Sequence, residues 1–286
     1  MNYNSLPVKK SYVDSRYSTN DSDSDSDFKI QLSNNIYLPD DCVMRIENVC
    51  IPHSWYTIEK GLNDKMYIKV VQGSTTTYNI ITIPSTNYTG ASLQTAVQAG
   101  LNYFYPGVFA VSYDTLKNAM MISIASGNFK ILTDDELATS LNGTWTGLAY
   151  NTTSPTSCND IITNRTNNFC SPINPFISGC LNLQGFRSVY ISSSSLCNFN
   201  VLGARGEQNI IKKVVTSSDF GYLIVDNLTS DHDYLNVSRM TLNTVDFQIR
   251  DVRGNIVPLH DSPVSFCIVF SLNNESRIFI RFKIYF

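Results

Sequence analysis

Residue types that could perform acid–base or metal chemistry are few and scattered along this chain. Three histidines, His53, His232 and His260, stand far apart, and none begins an HxxE or HExxH pattern. Asp231 and Asp233 flank His232, but neighbouring residues of an extended segment rarely converge on one metal ion. The histidines are therefore predicted to be surface or turn residues, and no catalytic, metal-binding or cofactor-binding residue is assigned.

Covalent catalysis and phosphate binding lack their usual local patterns. Serine, histidine and acidic residues are all present, yet no GxSxG nucleophile turn occurs, and no Cys–His signature accompanies the cysteines. The run Gly203-Ala204-Arg205-Gly206 resembles part of a phosphate loop but lacks its GK[ST] ending. A tight connection with glycine at positive φ is the better interpretation. The sequence predicts a protein that is not an enzyme and takes no small-molecule substrate.

Cysteines and clustered carboxylates are the ligands of two further kinds of metal site, for zinc and for calcium. No CxxC pair occurs, so a zinc site has no support from spacing, and the cysteines are expected to be free, mostly buried thiols in a reducing compartment. Residues 22–27 alternate Ser and Asp, but they lack the glycine and distal glutamate of an EF-hand calcium loop. The seven cysteines are Cys42, Cys50, Cys158, Cys170, Cys180, Cys197 and Cys267.

Several aromatic residues could form a platform for a sugar ring, although packing in a core or corner is the commoner role of such side chains. They are Trp55, Tyr56, Tyr103, Phe104, Tyr105 and Trp145.

Composition narrows the class of protein. Charged residues make up 16% of the 286 residues and the net charge is −3, whereas average soluble domains have about 25% charged residues. Direct nucleic-acid binding is not expected to be the main task, because binding many phosphates requires a basic excess. No apolar run approaches the ~18 residues of a membrane span. Residues 1–27 contain no apolar run, so no secretory leader is predicted.

Short apolar segments with a period of two residues, separated by polar turns, predict a β-sandwich or barrel. Residues 277–286 also alternate, with Ile278 and Phe282 on one side and Arg281 on the other. This segment reads as a basic, adhesive strand that must pair in its own sheet or with a neighbour. The main predicted strands are 28–32, 42–51, 66–71, 78–83, 109–113, 119–125, 188–191, 209–215, 222–225, 244–250 and 264–270.

Three stretches depart from this pattern. Residues 1–27 are predicted to be a flexible arm, since like charges repel and bury nothing. Residues 92–104 place apolar side chains on one helical face, so about 75–148 reads as a small α+β insertion in a domain spanning 28–286. Residues 149–179 are rich in Asn, Thr, Ser and Pro and read as a long polar loop.

The second half of the sequence resembles a known family. Runs at 188–196 (SVYISSSSL), 203–214 (GARGEQNIIKKV), 245–249 (VDFQI) and 264–270 (VSFCIVF) are similar to the penton proteins of virophages and polinton-like viruses. Residues 49–56 (VCIPHSWY) are similar to a strand ending of that group, and 81–101 followed by 109–114 to its inserted module. The resemblance covers about 28–272 and carries over no catalytic residue.

This resemblance implies an all-β fold, a single eight-stranded antiparallel jelly-roll sandwich with a small α+β insertion. It implies a minor capsid protein of the virion, assembled inside the infected host cell, in which a homopentamer forms each icosahedral vertex. The partners would be four further copies and the major capsid protein of the same virus.

Other functions remain open at this point. A carbohydrate-binding or adhesin-like β-sandwich would need exposed aromatics along a groove, for instance near Trp145 or Tyr105. A β-sandwich enzyme would need His, Asp and Ser or Cys to converge in one cleft. A single jelly-roll chain could also be a major or another minor capsid component.

Overall fold

The protein was analysed as a computed structural model, which describes residues 8–19, 24–139, 144–145, 148–149, 156–164, 168–197, 201–203, 206–227 and 233–272. The strands are β1 (Lys9–Asp14), β2 (Asp27–Tyr37), β3 (Cys42–Pro52), β4 (Lys65–Gln72), β5 (Thr75–Thr82), β6 (Phe109–Asp114), β7 (Ala119–Ile124), β8 (Asn128–Ile131), β9 (Thr144–Trp145), β10 (Leu148–Ala149), β11 (Phe176–Ile177), β12 (Ser188–Ser192), β13 (Ile210–Val215), β14 (Leu223–Asp226), β15 (Leu235–Asn236), β16 (Thr241–Arg250) and β17 (Ser265–Leu272). The α-helices are α1 (Gly90–Phe104) and α2 (Asp134–Thr139), and single 3₁₀ turns lie at Ser15–Tyr17 and Cys158–Asp160.

The chain divides into two compact units. Unit 1 comprises Met1–Ser54 and Phe186–Phe286, and unit 2 comprises Trp55–Gly185. Unit 2 is therefore an insertion in the connection between β3 and β12.

Unit 1 contains two antiparallel sheets. One has the strand order β1-β17-β3-β14, with the short β15 also paired to β3, and the other has the order β13-β12-β16-β2. Successive strands of unit 1 alternate between the two sheets, except that β12 and β13 lie in the same sheet. The short β15 is left out of this order. Eight strands connected in this way form a jelly roll, so the fold class predicted from the sequence is confirmed.

The two sheets of unit 1 pack face to face through aromatic side chains. The ring of Phe247, on β16, lies 5.6 Å from Phe28 of the same sheet and 4.9 Å from Phe266 of the other sheet. All three side chains are at most 3% exposed. Along β16, Val245, Phe247 and Ile249 are turned toward this core, as the alternation of a half-buried strand requires.

The first strand lies inside the predicted arm. Lys9–Asp14 pairs antiparallel with β17 over six residues, and Val13 of this strand is buried. The structure therefore differs from the prediction of a flexible arm over 1–27. Ser11 and Val13 supply the alternation of a strand, and β17, whose central residues are buried, gains a second hydrogen-bonded neighbour.

Unit 2 is an α+β structure in which α1 packs on strands. Its two three-stranded sheets have the orders β5-β4-β8 and β11-β7-β6. Leu93, Val97 and Leu101 of the predicted face of α1 are buried, whereas Phe104 at its end is exposed. Thr89 and Ser92 form a capping box at the start of this helix. A Cβ atom at Gly90 would stand 2.1 Å from the Tyr113 ring, so the close approach of helix and strand requires glycine there.

The insertion is larger than the predicted range of 75–148. Strand β4 precedes that range and pairs with both β5 and β8, so it cannot be separated from the insertion. The described part of the predicted polar loop, 149–179, also packs into this unit. Cys158, Ile161 and Phe176 are buried in its core, because a few apolar residues suffice when each occupies an inward position.

A buried ion pair joins a strand and a helix of unit 2. The ammonium group of Lys130, on β8, contacts the carboxylate of Glu136, on α2, and their side chains are 10% and 11% exposed. Glu136 also accepts a hydrogen bond from the backbone N–H of Thr133. The acidic first turn of this helix therefore also holds a cation.

No helix in the described residues has the length and hydrophobicity needed to cross a membrane. The adhesive segment predicted at 277–286 lies outside the described residues.

Candidate interaction surfaces

The histidines do not converge on a reactive site in the described part of unit 1. His53 is 3% exposed; its Nδ1 lies 2.8 Å from the Ser218 carbonyl oxygen and its ring packs edge-on against Phe220. His260 occupies a turn and has a φ of 49°. The prediction of a turn residue is confirmed for His260, whereas His53 is a core residue. His232 lies outside the described residues.

The glycine pair at 203–206 forms a turn. The N–H of Gly203 donates to the Glu207 carbonyl, and Gly206 has a φ of 90°. This confirms the predicted tight connection with glycine at positive φ. The described residues contain no group of three or more His, Cys, Asp or Glu side chains arranged to hold a metal ion.

Of the candidate sugar-platform aromatics, Trp55 and Tyr105 are packing residues. Trp55 is fully buried and its indole N–H donates to the Gln184 carbonyl at 3.2 Å. Tyr105 is 9% exposed and its hydroxyl hydrogen-bonds with Asn79. Tyr103 and Phe104 stack edge-on at 5.0 Å and are exposed. The side chain of Trp145 lies outside the described residues.

The cysteines are free thiols, and most of those described are at least partly buried. Cys158 lies in the core of unit 2, where burial raises the pKa of its thiol to about 12. Cys180, on the other hand, is exposed. Because the thiolate is the reactive form, these two thiols should differ widely in reactivity.

We therefore expect Cys180 to react first with a thiol reagent at pH 8, and Cys158 to react only when unit 2 unfolds. Mass spectrometry of peptides after timed alkylation of the native protein measures both rates, and Cys180→Ser is the control that removes the early adduct. Early modification of Cys158 would contradict its burial.

The carboxylate of Asp246, on β16, organises the turn after β12. It accepts hydrogen bonds from the backbone N–H groups of Ser194 and Ser195 at 2.9 and 2.8 Å, and another from the Ser195 hydroxyl. Burial opposes ionisation, but these hydrogen bonds outweigh it and hold the pKa of Asp246 below its usual value. The resembling run SVYISSSSL thus has a structural role at its serines.

Asp246→Asn is expected to lower the free energy of unfolding at pH 7 by about 1–2 kcal/mol, because hydrogen bonds to a charged acceptor are lost. The folded-state pKa lies below the unfolded value near 4, so the stabilisation is complete above pH 4 and is lost as the pH falls through the folded-state pKa. Urea unfolding at pH 7 and at pH 3 measures this, and the difference between wild type and variant should shrink at pH 3. Asp27→Asn, on a neighbouring strand, is the control.

An exposed apolar edge lies at β14. Tyr222, Leu223 and Val225 are 69%, 51% and 50% exposed, whereas Ile224 between them is buried. We call these three exposed residues the β14 edge. The sequence predicts a strand here but not its exposed face, because a continuous apolar run does not show which side is buried.

The main chain of the β14 edge has hydrogen-bonding groups that point away from the sheet. The Tyr222 carbonyl accepts a hydrogen bond from the His53 N–H at 2.9 Å. Since the direction of these groups alternates along a strand, the N–H and C=O of Leu223 and Val225 point outward. In the described residues β14 is the last strand of its sheet.

A groove of about 380 Å³ lies elsewhere in unit 1, beside the end of β1. Tyr12 and Tyr17 line it and are each 77% exposed. Asp14, also in its wall, accepts hydrogen bonds from the backbone N–H and the guanidinium of Arg16, which lowers the pKa of Asp14. Sequence reasoning missed this groove because it assigned these residues to an arm.

Comparisons with known proteins add a similarity in structure. No protein-family model matches the sequence, and no curated protein matches it. The chain is similar in structure to the mavirus penton protein, with 11% sequence identity, coverage of 92% of this chain and 98% of that chain, and a TM-score of 0.48. The fold assignment therefore rests on the strand order described above.

Proposed function

We propose that this chain is a minor capsid protein whose five copies form the vertex of an icosahedral virion and contact the major capsid protein around it. The observation that carries the proposal is the eight-strand jelly-roll order of unit 1 with an insertion between β3 and β12. It occurs in the residues whose sequence resembles penton proteins, and jelly rolls are common in viral capsids.

The surface composition supports an assembly role. Low charge and abundant Tyr suit large protein–protein contacts, and the β14 edge offers apolar and hydrogen-bonding groups together. A ring of identical copies closes through head-to-tail contacts, which join two different surfaces of one chain. In this proposed role the protein acts by burying surface between copies, without catalysis or cofactor.

Light scattering during size-exclusion chromatography tests the vertex role. Five copies of the 32.0 kDa chain give a particle of about 160 kDa, and negative-stain images should show five-fold rings. A stable trimer would contradict the proposal. If the protein is monomeric, coexpression with the major capsid protein of the same virus decides, and its failure to enter the assembled particles would overturn the vertex role.

A carbohydrate-binding role is the second candidate, and the groove of Tyr12 and Tyr17 is the observation that favours it. Exposed aromatic faces beside a carboxylate and a guanidinium suit a polar ring ligand. A glycan array probed with the wild type and with Tyr12→Ala tests this role. Binding that is lost in the variant supports it, and no binding by the wild type excludes it for the glycans on the array.

A further inference from the structure

We propose that residues 277–286 of one copy pair as an added strand with the β14 edge of a second copy. This inference extends the proposed assembly role by naming a contact between copies. It combines the exposed edge of β14 with the sequence of a segment outside the described residues.

The two surfaces have matching hydrogen-bonding requirements. The outward N–H and C=O groups of Leu223 and Val225 can pair with one extended segment, in the way peptides add to the edges of sheets. Residues 277–286 contain no proline and have Ile or Phe at every second position, so each of them can contribute to such a ladder.

The apolar faces also match. Leu223 and Val225 project from the exposed face of the sheet, while Ile224 and Asp226 lie on the opposite face. An added strand that places its apolar side beside Leu223 and Val225 would cover both of them. The residues on that side of the segment are Ile278, Ile280, Phe282, Ile284 and Phe286.

Charge distinguishes β14 from the edges at β1 and β13. Between Lys213 and Arg239 the chain has four aspartates and no lysine or arginine, whereas residues 276–286 have three basic residues and no acidic one. The edge strand β1 begins with two lysines, and β13 also contains two. Opposite charges on neighbouring strands stabilise pairing and like charges oppose it.

The basic side of the segment would meet carboxylates. Asp226 lies 3.8 Å and Asp233 lies 3.5 Å from the ammonium group of Lys212, so two carboxylates share this cation. An antiparallel register with Phe279 opposite Ile224 sets Arg277 opposite Asp226. A second register, with Tyr285 opposite Ile224, sets Lys283 there instead.

The short length of chain between Leu272 and residue 277 favours pairing of the segment with a second copy over pairing within the same chain. Strand β17 ends at Leu272, opposite Cys42, whereas β14 pairs with Val49–Pro52 at the other end of β3. Cys42 and Val49 are about 23 Å apart at ~3.3 Å per residue, and the five residue steps from 272 to 277 span at most ~18 Å. Within one chain only the last residues of the segment reach β14, while a second copy allows either register.

Paired proline variants of the full chain test the proposal. Val225→Pro removes an outward N–H that only an added strand uses, and edge strands tolerate proline at such a position. Lys10→Pro is the matched control on β1: the Ser15 N–H bonds to Val264, so alternation turns the Lys10 N–H outward. We expect the association constant, measured by sedimentation at several concentrations, to fall at least tenfold in Val225→Pro and to stay within twofold in Lys10→Pro.

Two further measurements keep the test independent of folding defects. Val225→Lys preserves the strand and places a charge beside the apolar side of the added segment, so it should also weaken association at least tenfold, with thermal unfolding unchanged. An excess of a synthetic peptide with residues 275–286 should dissociate the wild-type oligomer, whereas a scrambled peptide should not.

The outcomes separate this proposal from the vertex role. A pentamer that persists in Val225→Pro and in the presence of the peptide overturns strand addition and leaves the vertex role standing. A strand-dependent dimer or trimer supports strand addition and counts against the vertex role. A wild type that stays monomeric up to 100 µM overturns strand addition.

Discussion

Replacing Phe247 with alanine is expected to lower the free energy of unfolding of unit 1 by about 3–5 kcal/mol, because a buried aromatic ring is lost and a cavity remains. Phe247 joins the two sheets through its contacts with Phe28 and Phe266. A loss of this size is a large fraction of the 5–15 kcal/mol that typically stabilises a domain. Hydrogen exchange of amides in β3, β16 and β17, combined with urea unfolding, measures the effect.

Two variants control for this prediction. Phe247→Leu keeps most of the apolar volume and should cost less than half as much. Leu202→Ala changes a side chain of unit 1 that is 77% exposed, so it should alter stability by at most about 0.5 kcal/mol. If Phe247→Ala were no more costly than Leu202→Ala, the face-to-face packing of the sheets would be contradicted.

The second large effect on stability is expected when the buried ion pair of unit 2 is broken. Lys130→Met should lower the free energy of unfolding by about 3–5 kcal/mol, because the Glu136 carboxylate stays buried without its cation. Glu136→Leu should cost a similar amount. The double variant should recover most of the loss, since two apolar side chains of similar length need no desolvated charge.

A double-mutant cycle by urea unfolding measures the coupling between Lys130 and Glu136. The exposed pair Lys117 and Asp114, whose charged atoms are 3.9 Å apart, is the matched control and should show a coupling below about 1 kcal/mol. Equal coupling in the two pairs would contradict the buried character of the Lys130–Glu136 pair.

The predictable part of the fold follows from local patterns. Alternation predicts β2 and β16, although β2 extends to Tyr37 instead of ending at 32, and the spacing of Leu93, Val97 and Leu101 predicts α1. The number of strands and the jelly-roll order came from the resemblance, because local periodicity does not determine which strands pair.

The parts that sequence reasoning missed depend on distant residues. Strand β1 is short, polar at its start and stabilised by pairing with β17, more than 250 positions later in the sequence. The core residues of the predicted polar loop are isolated apolar positions whose partners lie on other strands. The β14 edge is visible only when its neighbours are known, since Leu223 and Ile224 look alike in the sequence and differ only in exposure.

The late position of β17 has a consequence for synthesis on the ribosome. This strand separates β1 from β3 in their sheet, so that sheet cannot form until residues 265–272 have been translated. Unit 2, in contrast, is complete at residue 185. We expect the insertion to fold during translation, while β1 and β3 wait with unpaired edges, which makes nascent chains stalled between residues 185 and 265 the species most prone to aggregate.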